Sequence, residues 1–251
     1  MAEPARLRRS EAASASRRQV LVGLADSGVE DGLLAHVVAA RGFTAGEGEQ
    51  AQTAAPMPDP VGHGSALARI VLAHAPAARI VNAQIFGARG ATSAAVAAAA
   101  VAWLAEQGAA VVNLSFGLHE DRAPLRAACA RALAAGCALI AAAPARGAPV
   151  FPSSYAGVIR VTGDARCGFA QVSHLATAQA DFGACVQVQA GAPGAGRIAG
   201  ASVAVAHASG LVAARFAETG ARGAEAARAV LAAAAVYHGA ERKARHDARN
   251  A

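Results

Sequence analysis

Aromatic side chains are scarce in this sequence, at 4% of its 251 residues, whereas alanine and glycine are abundant. With few rings to fill the space between layers, a core of this composition has to pack helices closely against a sheet. No eighteen-residue stretch consists only of large apolar side chains, and the richest segment, residues 91–104, is mostly alanine. That segment is too short to cross a bilayer, so we expect no membrane partner and interpret it as a buried or half-buried helix. The length suits one α/β domain.

Cysteine pairs and export signals are also missing. The four cysteines are scattered, without C-x-x-C pairs or the spacing of metal ligands: Cys129, Cys137, Cys167 and Cys185. Residues 1–18 carry arginines but no apolar block, and the first apolar run, residues 20–24, leads straight into Asp26. This run is typical of a strand and not of a signal peptide. We therefore expect a cytoplasmic protein with free thiols.

Acidic residues are fewer than basic ones, and the formal net charge is +6. Most of the excess lies at the two ends, with +3 on residues 1–18 and +2 on residues 241–251, which leaves +1 for residues 19–240. A nucleic-acid groove needs basic residues clustered on the folded body, so we expect no nucleic-acid partner, while an acidic peptide partner stays open. We predict a disordered basic arm (1–18), one folded domain (19–240) and a basic tail (241–251).

Apolar runs alternate with helix-spaced segments along the body of the chain. The apolar runs predict strands at 19–24, 79–85, 110–114, 137–143 and 157–162. The periodic segments predict helices at 64–74, 92–106, 124–135, 202–220 and 224–236. Residues 41–61 are interpreted as a loop and residues 190–200 as a glycine-rich segment. The alternation predicts an α/β fold with a central, mostly parallel sheet and helices on both faces.

Three short motifs lie at predicted strand ends and helix starts. They are Ala25-Asp26-Ser27-Gly28-Val29, Gly62-His63-Gly64-Ser65 and Gly200-Ala201-Ser202-Val203-Ala204. Each alone is typical of a turn, a loop histidine or a helix cap. Together they gather at one edge of a parallel sheet, where ligand sites form. A hydroxyl needs a base to remove its proton, and the base needs a carboxylate to orient it, so the set indicates a nucleophilic site.

The order Asp, His, Ser in these motifs resembles the subtilisin family. Further similarity extends over residues 19–220. It includes the substrate-binding strand at residues 111–117 (V-V-N-L-S-F-G), the strand into the oxyanion loop at 139–143, the segment at 151–159, and His207 shortly after the serine. The resemblance implies a subtilisin-like three-layer fold.

The resemblance also implies a role for each site residue. Ser202 would attack the scissile carbonyl, His63 would move the proton, and Asp26 would orient His63. The backbone of Ser115, Phe116 and Gly117 would pair with extended substrate, and the residues from Gly87 to Gly90 would form the opposite wall of the cleft.

The oxyanion region departs from the family. Ala145 stands where the family has an asparagine whose side chain donates to the oxyanion, and Ala201 stands where it has a threonine beside the serine. Either Arg146 or a backbone N–H supplies the missing donor, or the enzyme is slow and acts on one tightly bound partner. The intact triad favours an active peptidase.

Acid clusters suited to calcium are sparse, limited to Glu30-Asp31 and Glu47/Glu49, so we expect neither a metal nor a cofactor. The chain most resembles compact proteases of this family that remove leader peptides in modified-peptide pathways, such as the one acting on quinohemoprotein amine dehydrogenase. The predicted partner is therefore a peptide or protein precursor. A peptide-binding module that does not cut, and an acyl-transfer ligase or cyclase, are the alternatives.

Overall fold

The computed structural model describes residues 18–188 and 200–240, so the predicted basic arm up to residue 17, the tail (241–251) and most of the glycine-rich segment lie outside the described residues. Ten strands form one sheet in the order β10-β8-β9-β7-β6-β5-β1-β4-β2-β3. Their bounds are β1 Leu21–Asp26, β2 Val37–Ala45, β3 Ala51–Ala54, β4 Arg79–Gln84, β5 Val111–Leu114, β6 Ala138–Ala142, β7 Ile159–Gly163, β8 Val172–His174, β9 Phe182–Ala184 and β10 Ala235–His238. All neighbouring strands are parallel except β2 with β3 and β8 with β9, which confirms the mostly parallel sheet.

Within the described residues, five α-helices cover the two faces of the sheet. They are α1 His63–His74, α2 Ala94–Glu106, α3 Ala123–Ala134, α4 Ala201–Thr219 and α5 Gly223–Ala233, and a 3₁₀ helix spans Asp31–His36. Their ends follow local chemistry. Ser93 caps α2 by accepting a hydrogen bond from Val96 N at 3.3 Å, Pro124 occupies the first turn of α3, and Gly220, at φ 72°, ends α4 in the left-handed conformation.

Strand alternation divides the core between the two faces. On one face α1, α4 and α5 pack against side chains such as Val22, Leu24 and Ile140. On the other face, α2 and α3 pack against the alternate strand residues, whose side chains point the opposite way, such as Ala25 and Leu139. The helices that bear His63 and Ser202 therefore share one face. No helix among residues 18–188 and 200–240 is long and apolar enough to span a membrane.

The structure corrects the prediction for residues 41–61, which are not one loop. They hold the end of β2, a short 3₁₀ turn and β3, and β2 and β3 form an antiparallel pair at the edge of the sheet. The strand predicted at 19–24 is shifted to Leu21–Asp26, and the predicted last helix ends at Ala233, where the chain turns into β10. The three-residue strands β8 and β9 were not predicted.

Candidate active site

The three motif residues lie at the carboxyl edge of the sheet. Asp26 is the last residue of β1, His63 the first of α1, and Ser202 the second of α4. In the sheet β1 lies between β4 and β5, and Ala25 is opposite Leu114. The segment that follows β5 therefore leaves the sheet beside Asp26, as expected where parallel strands end together.

Asp26 and His63 are directly bonded. His63 Nδ1 lies 2.7 Å from Asp26 Oδ1, and that oxygen also accepts from Ser27 N at 2.7 Å. The Asp26 side chain is fully buried, whereas the imidazole is 28% exposed. Burial lowers the pKa of His63, but the hydrogen bond and charge of Asp26, with the charge of Asp59, outweigh it and raise the pKa. The carboxylate thus fixes the ring and stabilises its cationic form, while the ring stays open to a ligand.

Glycines bring the two motifs close together. A Cβ on Gly64 would lie 2.2 Å from the carbonyl oxygen of Gly28 and 3.3 Å from Asp26 Cβ. Gly28 itself has a φ of 123°, which side-chain-bearing residues rarely adopt. The first turn of α1 therefore rests directly on the turn after β1, which sets the distance between Asp26 and His63.

Ser202 lies at the start of α4, next to the end of β5. Its Oγ donates to Ser115 O at 3.4 Å, and Ser115 Oγ donates to Ser202 O at 3.5 Å. No hydrogen bond joins Ser202 Oγ to His63 Nε2 within the described residues, and catalytic hydrogen bonds of this kind often tighten only when substrate binds. The amides of the first helical turn have no intrahelical acceptor, so the Ser202 N–H is available to an anion.

Asn113 connects the serine-bearing helix to the sheet. This fully buried residue of β5 donates from Nδ2 to Ser115 Oγ at 2.8 Å and accepts from Ser209 Oγ at 3.2 Å. The sequence analysis assigned Asn113 to the substrate-binding strand without giving its side chain this part. A buried amide whose two ends are both bonded fixes β5 against α4.

Helices α1 and α4 are also in close contact further from the site. A Cβ on Gly210 would lie 2.8 Å from His74 Cβ, and His74 Nε2 lies 2.8 Å from His207 Nδ1. His207 is fully buried and its Nε2 lies 3.0 Å from Gln187 O. Burial, with a smaller effect of His207, lowers the pKa of His74 to about 4. These contacts fix the helices that carry His63 and Ser202 relative to each other.

The predicted substrate-binding residues follow β5 and β4. Phe116 buries its side chain, and its ring meets the Phe86 ring edge-on with 6.3 Å between the ring centroids. A Cβ on Gly117 would lie 2.9 Å from Val150 Cγ2. After Gly117, two backbone hydrogen bonds of 2.7 and 2.8 Å join Leu118 to Phe151 and hold the end of this segment in place.

Gly87 and Gly90 lie in the turn after β4, where Gly90 N donates to Gly87 O at 2.9 Å. Gly90 has a φ of 63°, and a Cβ on either glycine would meet nothing within 4 Å, so the turn is open on that side. The open space fits the role of a cleft wall.

The oxyanion region differs from the rest of the site in its exposure. Ala145 and Arg146 are exposed in the turns after β6, and they share with Ala201 the lining of a cavity of about 490 Å³. Ala145 has no side-chain donor. The exposed Arg146 guanidinium forms no hydrogen bond or ion pair with any described residue.

The sequence analysis did not single out Asp59, which bonds to the residues around His63. Its carboxylate accepts hydrogen bonds from Ser27, Gly62 and Ser65, which surround His63. Its position four residues before the histidine was the available signal, but it fell in the segment interpreted as a loop. Within the described residues, no three His, Cys, Asp or Glu side chains form a group that could hold a metal ion.

Comparisons with known proteins bear on the family and the fold. The model of the peptidase S8 subtilase family matches residues 17–249. A protease from Pseudoalteromonas arctica PAMC 21717 matches with a TM-score of 0.70 at 16% identity, covering 90% of this chain and 89% of that chain. The S41 psychrophilic protease (TM-score 0.63, 18% identity, 87% and 85% covered) and sphericase (TM-score 0.63, 18% identity, 85% and 83% covered) are also similar. The TM-scores show a shared fold. The search of curated proteins finds no match.

Proposed function

Because this chain belongs to the subtilase family and is a subtilisin-like serine endopeptidase, we propose that Asp26, His63 and Ser202 are its catalytic triad and that it cuts one specific peptide or protein precursor. The observation that carries the triad is the 2.7 Å bond between the buried Asp26 carboxylate and the partly exposed His63 ring. Ser202 starts a helix at the same edge of the sheet.

In the proposed reaction, Ser202 Oγ attacks the scissile carbonyl while His63 Nε2 takes the hydroxyl proton. The tetrahedral intermediate then collapses, the peptide C–N bond breaks, and His63 returns the proton to the leaving amine. Water attacks the acyl-enzyme by the same route, giving the free carboxylate and Ser202. Asp26 holds the ring with Nδ1–H toward itself, so that Nε2 is the basic nitrogen throughout.

The developing oxyanion would meet the Ser202 N–H at the start of α4. Ala145 supplies no second donor, and Arg146 and the backbone N–H groups of its turn are the candidates that remain. An oxyanion site that lacks one strong hydrogen-bond donor stabilises the transition state less, so its turnover is slow. Tight binding of the substrate then has to supply the specificity. This supports maturation of a dedicated precursor, such as leader-peptide removal, over general digestion.

An extended substrate would add a strand along the backbone of residues 115–117, with the open turn at residues 87–90 on its other side. Side chains of the precursor would then alternate between the body of the enzyme and solvent. The same exposed Ala145 also favours one rival, a peptide-binding module that does not cut.

We place this activity in the cytoplasm. All four cysteines are buried and unpaired, and burial raises the pKa of Cys129 to about 12. Free thiols of this kind are typical of a reducing compartment. Fractionation of the source cells, with detection of the protein by antibody, tests the compartment.

A fluorophosphonate probe tests the triad and separates the enzyme from the binding module. We expect the probe to label Ser202, with the serine oxygen displacing fluoride, and both Ser202→Ala and His63→Ala to abolish labelling. Ser154→Ala, which changes an exposed serine outside the site, is the control and should still be labelled. Labelling of a residue other than Ser202, or none at all, would overturn the assignment.

Incubation with candidate precursors, followed by mass spectrometry, tests the substrate. A single cut in one precursor is expected. Rapid cutting of many unrelated unfolded proteins would refute a dedicated substrate.

A further inference from the structure

The first turn of helix α1, which begins with His63, lacks a cap of its own. Its N-cap residue is Gly62, which has a φ of 76° and no side chain to accept hydrogen bonds from the exposed amides. The carboxylate of Asp59 takes this part. Its Oδ1 accepts from Gly62 N at 2.8 Å and from Val61 N at 3.1 Å, and its Oδ2 accepts from Ser65 N at 2.9 Å.

Asp59 also reaches the aspartate side of the site through one hydroxyl. Ser27 Oγ lies 2.8 Å from Asp59 Oδ1 and 3.2 Å from Asp26 Oδ1, and it accepts from Gly64 N at 2.9 Å. A hydroxyl has one proton, and the shorter distance directs it to Asp59. Asp26 Oδ1 is then left to the backbone N–H of Ser27 and to the His63 ring.

We propose that Asp59 is a positioning residue for the catalytic histidine: by bonding Ser27 and the first turn of α1 together, it holds His63 against Asp26. The half-buried carboxylate bonds Ser65 through both its N–H and its hydroxyl. Gly64, between His63 and Ser65, is bonded through Ser27. The residues next to His63 in the sequence, Gly62, Gly64 and Ser65, are therefore hydrogen-bonded to Asp59 either directly or through Ser27.

The charge of Asp59 distinguishes this role from simple fastening of a loop. Burial raises the pKa of Asp59, but hydrogen bonds from Ser65, Ser27 and Val61 outweigh it and lower the pKa, so the group is an anion at neutral pH. This anion adds to the effect of Asp26 on the His63 ring. Removing the charge should move the titration of His63, whereas loss of a loop contact alone should not.

The test compares Asp59→Asn, Asp59→Glu and the control Asp31→Asn, which removes an exposed carboxylate in the nearby 3₁₀ helix. Asparagine keeps one acceptor oxygen but cannot accept from Ser65 at the other position. We expect Asp59→Asn to lower the maximal rate constant of fluorophosphonate inactivation at least about tenfold, with the half-saturating concentration changed less than about twofold. Asp59→Glu should recover part of the rate.

The second readout is the titration of His63 followed by NMR. The pKa of His63 should fall in Asp59→Asn and stay near the wild-type value in Asp59→Glu and Asp31→Asn. An Asp59→Asn protein with unchanged inactivation kinetics and an unchanged His63 titration would overturn the proposal. So would an equal shift in Asp31→Asn.

If Asp59→Asn does not fold, Ser27→Ala provides the second variant, because it removes the hydroxyl between Asp59 and Gly64 and leaves both carboxylates. A severalfold slower inactivation is expected, and a wild-type rate would contradict the proposal. The inference rests on the proposed function only for its rate readout. If the wild type never reacts with the probe, the proposed function fails, while the His63 titration still tests Asp59.

Discussion

The contact between Gly64 and Gly28 leads to a quantitative prediction for the change Gly64→Ala. The new Cβ would lie 2.2 Å from the carbonyl oxygen of Gly28, and real Cβ atoms essentially never approach a neighbour closer than 3.0 Å. Helix α1 and the turn after β1 must therefore separate by about 0.8 Å, the difference between these distances. The bond between His63 Nδ1 and Asp26 Oδ1, now 2.7 Å, lies across the same contact and would stretch toward the limit of a hydrogen bond.

A displacement of this size at a catalytic base costs on the order of a hundredfold in rate. Overpacking of this kind lowers the free energy of unfolding by about 1–3 kcal/mol, which a domain of this size tolerates. We therefore expect Gly64→Ala to fold, to unfold at a lower temperature, and to react with a fluorophosphonate about a hundredfold more slowly.

Gly32→Ala is the matched control, because its Cβ would meet only Glu30 Oε1, at an ordinary 3.8 Å. This variant should react at the wild-type rate. The reasoning is refuted if folded Gly64→Ala also reacts at the wild-type rate, since the close approach would then have no part in placing His63.

Three further predictions concern the oxyanion donor, the base and the metal. Ala145→Asn, combined with Pro144→Gly to free the loop, should raise the cleavage rate by up to about a hundredfold with little change in binding, as measured by single-turnover kinetics; an unchanged rate would mean that another group already donates. Because the raised pKa of His63 favours the cation, which cannot accept a proton, the rate should rise with pH through a midpoint above the ordinary 6.5, and a midpoint below it would contradict the assigned neighbours. The stability gained from the cation is complete below the ordinary pKa and lost as pH rises through the raised one. A calcium chelator should leave the unfolding temperature unchanged, and a drop of many degrees would reveal a bound ion.

The motifs of the sequence were sufficient to predict which residues meet at the sheet edge, but not how they are held there. Asp26 and His63 sit between small residues, and the structure shows why: Gly28 and Gly64 touch at the backbone. A backbone contact this close requires glycine, so it is visible in the sequence as glycines near Asp26 and His63. Asp59, in contrast, bonds mainly to backbone amides, which have no sequence signature of their own, so it looked like one more polar residue of a loop rich in glycine, proline, glutamine and acids.

The edge strands were missed for a related reason. The residues of β2 and β3 that pair, 42–45 and 51–54, are mostly exposed and mix small apolar with polar side chains, so they lack the apolar run that predicts a central strand. Strands β8 and β9 have three residues each, too few for any periodicity to appear. The central strands, buried on both faces, were predicted within about two residues because burial on both faces demands an uninterrupted apolar run.

Hydrogen bonds hold the residues around the catalytic base much more firmly than those around the oxyanion site, and this difference affects specificity. The half with the base is fixed by buried groups, because Asp26 bonds His63 and Asp59 bonds the turn that precedes it. The half with the oxyanion depends on the exposed Ala145 and Arg146, whose side chains form no hydrogen bond with described residues. A base held ready beside an incomplete oxyanion site gains most from a substrate whose own binding energy completes the donor arrangement. We therefore expect a cognate precursor to exceed short peptides in its cleavage rate, and not only in its affinity.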